Sequence, residues 1–153
     1  MSSKNPYSQA AGAYVKIATA TDQRTMEATV LLQAAQKLED LMQRLESGEK
    51  VKLEELGDVL NHNQKLWQLF VSDMDNPDHH LPQDLRNNVA SLAFFVFKHT
   101  QEILIETTPD KFQVLININR CIAAGLMKKP ENAAKAHKQP PEAHKAMASD
   151  SVA

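Results

Sequence analysis

Cysteine, glycine and long apolar segments are all scarce in this 153-residue chain. The single cysteine, Cys121, excludes an internal disulfide. No window reaches the roughly 20 apolar residues that a membrane span needs. The N-terminus has no basic cluster followed by an apolar run, so it does not resemble a signal peptide. We therefore expect a cytoplasmic protein with no membrane partner.

An excess of charge of one sign is also missing. The net charge is -2 and the isoelectric point about 6.3, so no basic surplus exists to hold a phosphate backbone. Bulk charge therefore argues against a nucleic-acid partner. The remaining composition, 24% charged and 42% hydrophobic, is that of an ordinary globular protein of one domain.

Patterns that mark catalysis or metal binding are missing as well. Phosphate loops, GxSxG and HExxH do not occur. The aspartates of residues 73–78 loosely resemble a calcium loop, but Asp78 stands where glycine is usual. His79 and His80 are adjacent and are expected to be exposed loop residues, and Cys121 lies in an apolar helix that favours a buried, inert thiol. The sequence thus predicts a protein that is not an enzyme, with no catalytic residues, no metal and no cofactor.

What the chain does contain is an abundance of good helix formers, chiefly Ala, Leu, Gln, Lys and Glu. This predicts an all-α fold, a single compact bundle of about five helices with a disordered C-terminal tail. Pro6 suits the first position of the first helix. The second helix is predicted from the cap candidates Thr21 and Asp22 to about Ser47, where Gly48 stops it.

The sequence predicts three further helices. The third is predicted over Leu53–Asp75, the fourth opens at Pro82, and the fifth covers about Asp110–Leu126. The fourth helix is apolar on most sides, which predicts a central position in the bundle. Beyond Met127 the chain has no Phe, Leu, Ile, Trp or Tyr, so residues 128–153 are predicted to be a disordered tail.

The aromatic residues concentrate between residues 66 and 100. This stretch holds the only tryptophan, Trp67, and four of the five phenylalanines, which predicts that it carries much of the core. We expect Trp67 to be a core anchor. Arg120 lies in an apolar helix and is predicted to be structural, paired with helix C-termini or with the aspartates of residues 73–78.

Leucines spaced seven residues apart form a seam on the second helix. Leu31, Leu38 and Leu45 could bind a partner helix, although internal packing is the more common role of such a seam. The first helix, with Tyr7 and Tyr14, is weakly apolar. We treat it as a movable element that opens the seam, and these five residues are the candidate partner-binding set.

Polar residues inside the apolar stripes have two open interpretations. Asn63, Asn117 and Asn119 either recognise a partner or tie neighbouring helices together. The second role is the more frequent one for amides placed in this way.

Four fragments resemble the flagellar biosynthesis regulator FlaF family: NQKLW (63–67), NPDHHLPQDLR (76–86), SLAFFVFKHT (91–100) and LININRCIAAGL (115–126). The resemblance covers about residues 6–127 in order, which defines a FlaF-like helical domain over residues 1–127. Asn117 stands where the family usually has aspartate. The positions that match the family motifs are Asn63, Trp67, Leu81, Pro82, Arg86, Asn119, Arg120 and Gly125.

The resemblance implies a cytoplasmic flagellum biogenesis factor that acts as a flagellin-binding export chaperone. Its client would be flagellin, whose terminal amphipathic helices pack together only in the filament. The alternative is a post-transcriptional regulator of flagellin synthesis that acts with FlbT or on flagellin mRNA. FlbT is thus a second candidate partner, and the sequence leaves the oligomeric state open.

Overall fold

The protein is represented by a computed structural model that describes residues 6–128, without the side chains at 13–20. The described residues form four α-helices and no strand, which confirms the all-α class. The predicted disordered tail lies outside the described residues, apart from Lys128. The helices are α1 (Pro6–Glu46), α2 (Leu53–Val71), α3 (Gln83–Ile105) and α4 (Pro109–Met127).

Helix α1 is one continuous element of 41 residues, where the sequence predicted two helices. The predicted start at Thr21 and Asp22 is wrong, because the helix passes through both. The threonines that follow satisfy their hydroxyl groups within the helix. Thr25 Oγ1 donates to the Thr21 carbonyl at 3.0 Å, and Thr29 Oγ1 to the Thr25 carbonyl at 2.8 Å. Such bonds let these residues lie in a helix interior rather than at a cap.

The end of α1 is the one that the sequence predicts. Gly48 has a φ of 83°, the left-handed conformation that glycine adopts without strain. Its N–H donates to the Leu45 carbonyl, and the Glu49 N–H donates to the Arg44 carbonyl. These two bonds form a Schellman motif, which turns the chain toward α2. Arg44 then pairs with Glu49 and Glu55 across the turn.

The core lies mainly between α1 and α4, whose contact is the most extensive of the bundle, while α2 packs on both α1 and α3. The prediction that the apolar fourth helix, here α3, is central is therefore wrong. Trp67 and Phe70 are buried as predicted, but Phe94 and Phe95 on α3 are exposed. The largest fully buried side chains come from all four helices: Leu31, Leu38, Leu41, Leu60, Trp67, Val89, Val96, Ile103, Phe112, Leu115 and Ile116.

The N-terminal half of α1 extends past the rest of the bundle. At roughly 1.5 Å per residue, α1 is about 60 Å long, whereas the 23 residues of α3 span about 35 Å. Ala28 is the first buried residue on α1 among the described side chains. The part of α1 ahead of it therefore projects from the bundle, and its described side chains, at residues 6–12 and 21–27, are exposed or partly exposed.

Candidate functional site

A buried polar cluster ties α2 and α4 to α1. Trp67 is fully buried and its Nε1–H donates to Asn119 Oδ1 at 2.8 Å. Asn119 Nδ2 donates in turn to Asn63 Oδ1 at 2.7 Å and to the Leu31 carbonyl at 3.3 Å. The Trp67 ring also meets Phe70 edge to face, with the ring centroids 5.8 Å apart. Three of the residues that match the family motifs thus form one buried hydrogen-bonded cluster.

The three asparagines considered above therefore separate into two groups. Asn63 and Asn119 are fully buried and tie helices together, so they offer nothing to a partner in this conformation. Asn63 Nδ2 is buried without a hydrogen-bond acceptor. Asn117 is exposed and accepts a bond from Gln113 Nε2, one turn earlier on α4.

Arg86 holds the loop between α2 and α3. Its Nη1 donates to the carbonyls of Met74 and Asn76, each at 2.8 Å. Leu81, in the same loop, is buried, and Pro82 is the N-cap residue of α3. The loop residues of the family motif therefore have structural roles.

The two loop histidines are only partly exposed, contrary to the expectation from sequence. His80 Nε2 lies 2.9 Å from Glu27 Oε2 on α1, and the His79 ring stacks on His80 with the ring centroids 4.2 Å apart. The Leu81 N–H donates to His79 Nδ1 at 3.1 Å. Burial, and to a lesser extent the neighbouring His80, lower the pKa of His79 below its ordinary value. These contacts attach the loop to α1 and position Glu27.

Arg120 has a different partner from the one predicted, and Gly125 is not required by packing. Arg120 is exposed and pairs with Glu39 on α1, so the predicted pairing with the loop aspartates or with helix C-termini is wrong. The spacing of residues along α4 gives the side on which Arg120 lies, but it did not show that α1 and Glu39 are the neighbours on that side. At Gly125, a Cβ atom would meet nothing within 4 Å, so packing does not require glycine there.

The candidate partner-binding residues fall into different environments. Leu31 and Leu38 are fully buried and Leu45 is partly buried, so the seam packs mainly inside the bundle. Tyr7 is exposed on the projecting half of α1, and the Tyr14 side chain lies outside the described residues. Helix α1 runs without a break from Pro6 to Glu46, so the predicted first helix belongs to the same element as the seam and is not a separate helix packed over it.

An open apolar surface does exist beside the seam, between α1 and α2. Two adjoining hollows share Glu27 and Val30. The hollow next to α2 has about 160 Å³, and the second, which is lined by α1 alone, has about 380 Å³. Small-molecule pockets have roughly 300–1,000 Å³, so both hollows are at or below the small end of that range. We call this surface the α1–α2 groove. It is lined by Asp22, Gln23, Met26, Glu27, Val30, Leu31, Leu66, Leu69 and Phe70.

The groove combines exposed apolar side chains with an acidic edge. Leu69 is 74% exposed and Met26 is also largely exposed, although both are large apolar residues. Asp22 and Glu27 contribute carboxylates to the lining on α1. Sequence reasoning missed this groove because it followed the stripe that is buried. The groove could have been predicted from a second set of apolar residues, at 26, 30, 66 and 69, which lie outside the Leu31/Leu38/Leu45 seam.

Metal-ligand groups do not converge in the described part of the chain. Among its side chains, no three of His, Cys, Asp or Glu come together as they would around a metal ion. Cys121 is exposed rather than buried, so the expectation of a buried thiol is wrong. Of the helices described, none combines the length and the apolar character that crossing a membrane requires.

Comparison with known proteins identifies the family. Neither a search of curated proteins nor a search of solved structures finds a match. A scan against family models matches the family described as "Flagellar protein FlaF" over residues 10–126, which is most of the chain and includes all four motif fragments. The chain therefore belongs to the FlaF family of flagellar proteins.

Proposed function

We propose that this flagellar protein is a cytoplasmic export chaperone that binds flagellin, a role that requires no catalysis. The observation that carries the proposal is the α1–α2 groove, an apolar surface at which Met26 and Leu69 are largely exposed. Large apolar residues that stay exposed in a folded protein commonly mark an interaction site.

The shape of the groove suits a helical client. An amphipathic helix binds such a groove with apolar anchors spaced three, four and seven residues apart. Flagellin's terminal helices would carry anchors of this kind and would expose them until the filament forms. Covering these stripes before export would prevent flagellin from aggregating.

The acidic edge adds a condition on the client. Asp22 and Glu27 lie beside the apolar lining, so a helix with Lys or Arg flanking its apolar stripe would be favoured over one with acidic flanks. His80 also contacts Glu27, which keeps this carboxylate at the groove. Electrostatic complementarity of this type contributes to specificity and to the association rate.

The direct test is binding of purified full-length protein to flagellin. We expect a stoichiometric amount of this protein to keep flagellin in solution, so that light scattering is suppressed. The contradicting result is flagellin that aggregates equally with and without it. Co-purification of flagellin mRNA or of FlbT, without flagellin, would favour the alternative role in regulating flagellin synthesis.

A further inference from the structure

The outer face of α3 carries several exposed large apolar side chains. Phe94 is 75% exposed and Ile105 is 86% exposed, on a helix whose opposite side packs on its neighbours. Phe95 and Leu104 are exposed as well, and Phe97 is only partly buried. The α1–α2 groove contains no residue of α3, so this face needs a separate explanation.

We propose that this face joins two copies of the chain, with the two α3 helices antiparallel about a twofold axis near position 100. A twofold interface uses the same surface on both copies and must be complementary to itself. The residues of α3 meet this condition in a central row and on both of its flanks.

The central row consists of positions 94, 101 and 105, which share one side of a helix, and Lys98 borders this row. In an antiparallel pair centred near position 100, Phe94 of one copy lies against Ile105 of the other. The twofold axis repeats this contact at the opposite end of the interface. Each of the two most exposed apolar residues of α3 is thereby covered by the other.

The flanks match in the same register. A twofold axis perpendicular to both helices places each flank against the same flank of the second copy. On one flank, Phe97 meets Leu104 of the second copy, which continues the apolar contact. On the other flank, exposed Lys98 meets Glu102, which is half-exposed although it lies 3.5 Å from His99 in its own copy.

The agreement of the three pairs is what favours a second copy over another partner. The midpoints of 94 with 105, of 97 with 104, and of 98 with 102 all fall within half a residue of position 100. One antiparallel register therefore buries the apolar residues and pairs the charges together. An unrelated partner would not require the face to be complementary to itself.

The size of the face predicts a dimer that dissociates on dilution. A fully covered large aromatic buries on the order of 150–250 Å², so the exposed side chains of α3 supply several hundred Å² from each copy. A standard stable interface uses about 800 Å² per partner. The dimer is therefore expected to be concentration-dependent and to be stabilised further by the Lys98–Glu102 pairs.

Sedimentation equilibrium of the full-length protein over a wide concentration range tests the proposal. A monomer–dimer equilibrium is expected, with at least about tenfold weaker association in Phe94→Glu and in Ile105→Glu, because each places a carboxylate in an apolar contact. Leu53→Glu is the matched control, since Leu53 is 75% exposed on α2 and lies outside the face. The proposal would be overturned if the protein is monomeric at every concentration, or if neither α3 substitution changes the dimer dissociation constant.

A charge exchange tests the antiparallel register without adding charge to the apolar row. Lys98→Glu and Glu102→Lys should each weaken the dimer, since each places like charges together across the axis. The double variant that carries both substitutions restores opposite charges and should recover dimerisation. Equal melting temperatures would show that all these surface variants are folded. Failure of the double variant to recover association would overturn the proposed register.

Discussion

At the residue scale, Asn119 links three parts of the chain that are far apart in sequence. Its carbonyl accepts from Trp67 and its amide donates to Asn63 and to the Leu31 backbone. An apolar residue of similar volume would fill the space but leave these groups without partners. Buried polar groups of this kind contribute most through the cost of leaving them unmatched.

Asn119→Leu is therefore expected to lower the free energy of unfolding by about 3 kcal/mol or more, because each stranded buried group costs about 1–3 kcal/mol. Asn117→Leu is the control on the same helix, since Asn117 is exposed and its loss should change stability by less than about 0.5 kcal/mol. Urea denaturation measures both variants. Similar stabilities of the two variants would contradict the role of the buried cluster.

Trp67→Ala should destabilise the protein by roughly 3–5 kcal/mol, since it removes a fully buried indole and leaves a cavity. Trp67 is the only tryptophan, so its fluorescence reports this site alone. The folded protein should emit at short wavelength and shift to the red on unfolding. A native emission spectrum already typical of indole in water would contradict the burial of Trp67.

The sequence predicted which residues line the buried stripes but not how they pair. The periodic spacing identified Trp67 as a core residue, yet its bond to Asn119 joins positions 52 residues apart. Periodicity gives the side of a helix and not the neighbour on that side. For the same reason Phe94 and Phe95 were expected in the core, although α3 has more apolar surface than its neighbours cover.

At the scale of elements, the α2–α3 loop is attached to α1 through His79 and His80. The folded state favours neutral His79, because burial lowers its pKa and its Nδ1 accepts the Leu81 N–H. A histidine with a lowered pKa contributes stability that is complete above its unfolded pKa of about 6.5 and is lost as the pH falls below that value. Acidification should therefore loosen this loop.

His79→Asn tests this pH dependence, since the asparagine side-chain oxygen can replace Nδ1 as an acceptor without titrating. The wild type should lose more stability between pH 7.5 and pH 5 than the variant does, as measured by the midpoint of urea denaturation. Burial also lowers the pKa of His62, so a smaller acid loss should remain in the variant. An equal loss in both proteins would show that His79 does not contribute.

Helix boundaries show how far element prediction from sequence extends. The C-terminal end of α1 at Gly48 was predicted correctly, because glycine adopts the left-handed conformation there without strain. Near Pro82 and Pro109 the predictions were off by one residue, since α3 begins at Gln83 and α4 at Pro109. The boundary at Thr21 was wrong because threonine can cap a helix or continue it, and hydrogen bonds within α1 satisfy the hydroxyls of Thr25 and Thr29. Merging the two helices created the projecting half of α1.

At the scale of the whole molecule, the proposals assign two surfaces to two partners. The α1–α2 groove faces the client, and α3 faces a second copy. A dimer of this kind would present two grooves and bind two flagellin helices at once. The family resemblance predicted the flagellar role, whereas neither surface followed from the sequence, since both consist of apolar residues that the bundle leaves uncovered.

The central claim is that flagellin binds in the α1–α2 groove, and a matched pair of substitutions on α2 tests it most directly. Leu69 lies in the groove and Leu53 does not, yet the two leucines are 74% and 75% exposed, so neither change should unfold the protein. Leu69→Asp adds a carboxylate to the apolar lining near Glu27. This carboxylate must lose its hydration when flagellin covers the groove, and Glu27 repels it.

The measurement is the affinity of flagellin for the wild type and for the two variants by titration calorimetry. The account predicts that Leu69→Asp weakens binding at least about tenfold, while Leu53→Asp binds as the wild type does. Flagellin that binds Leu69→Asp as tightly as the wild type would contradict the claim.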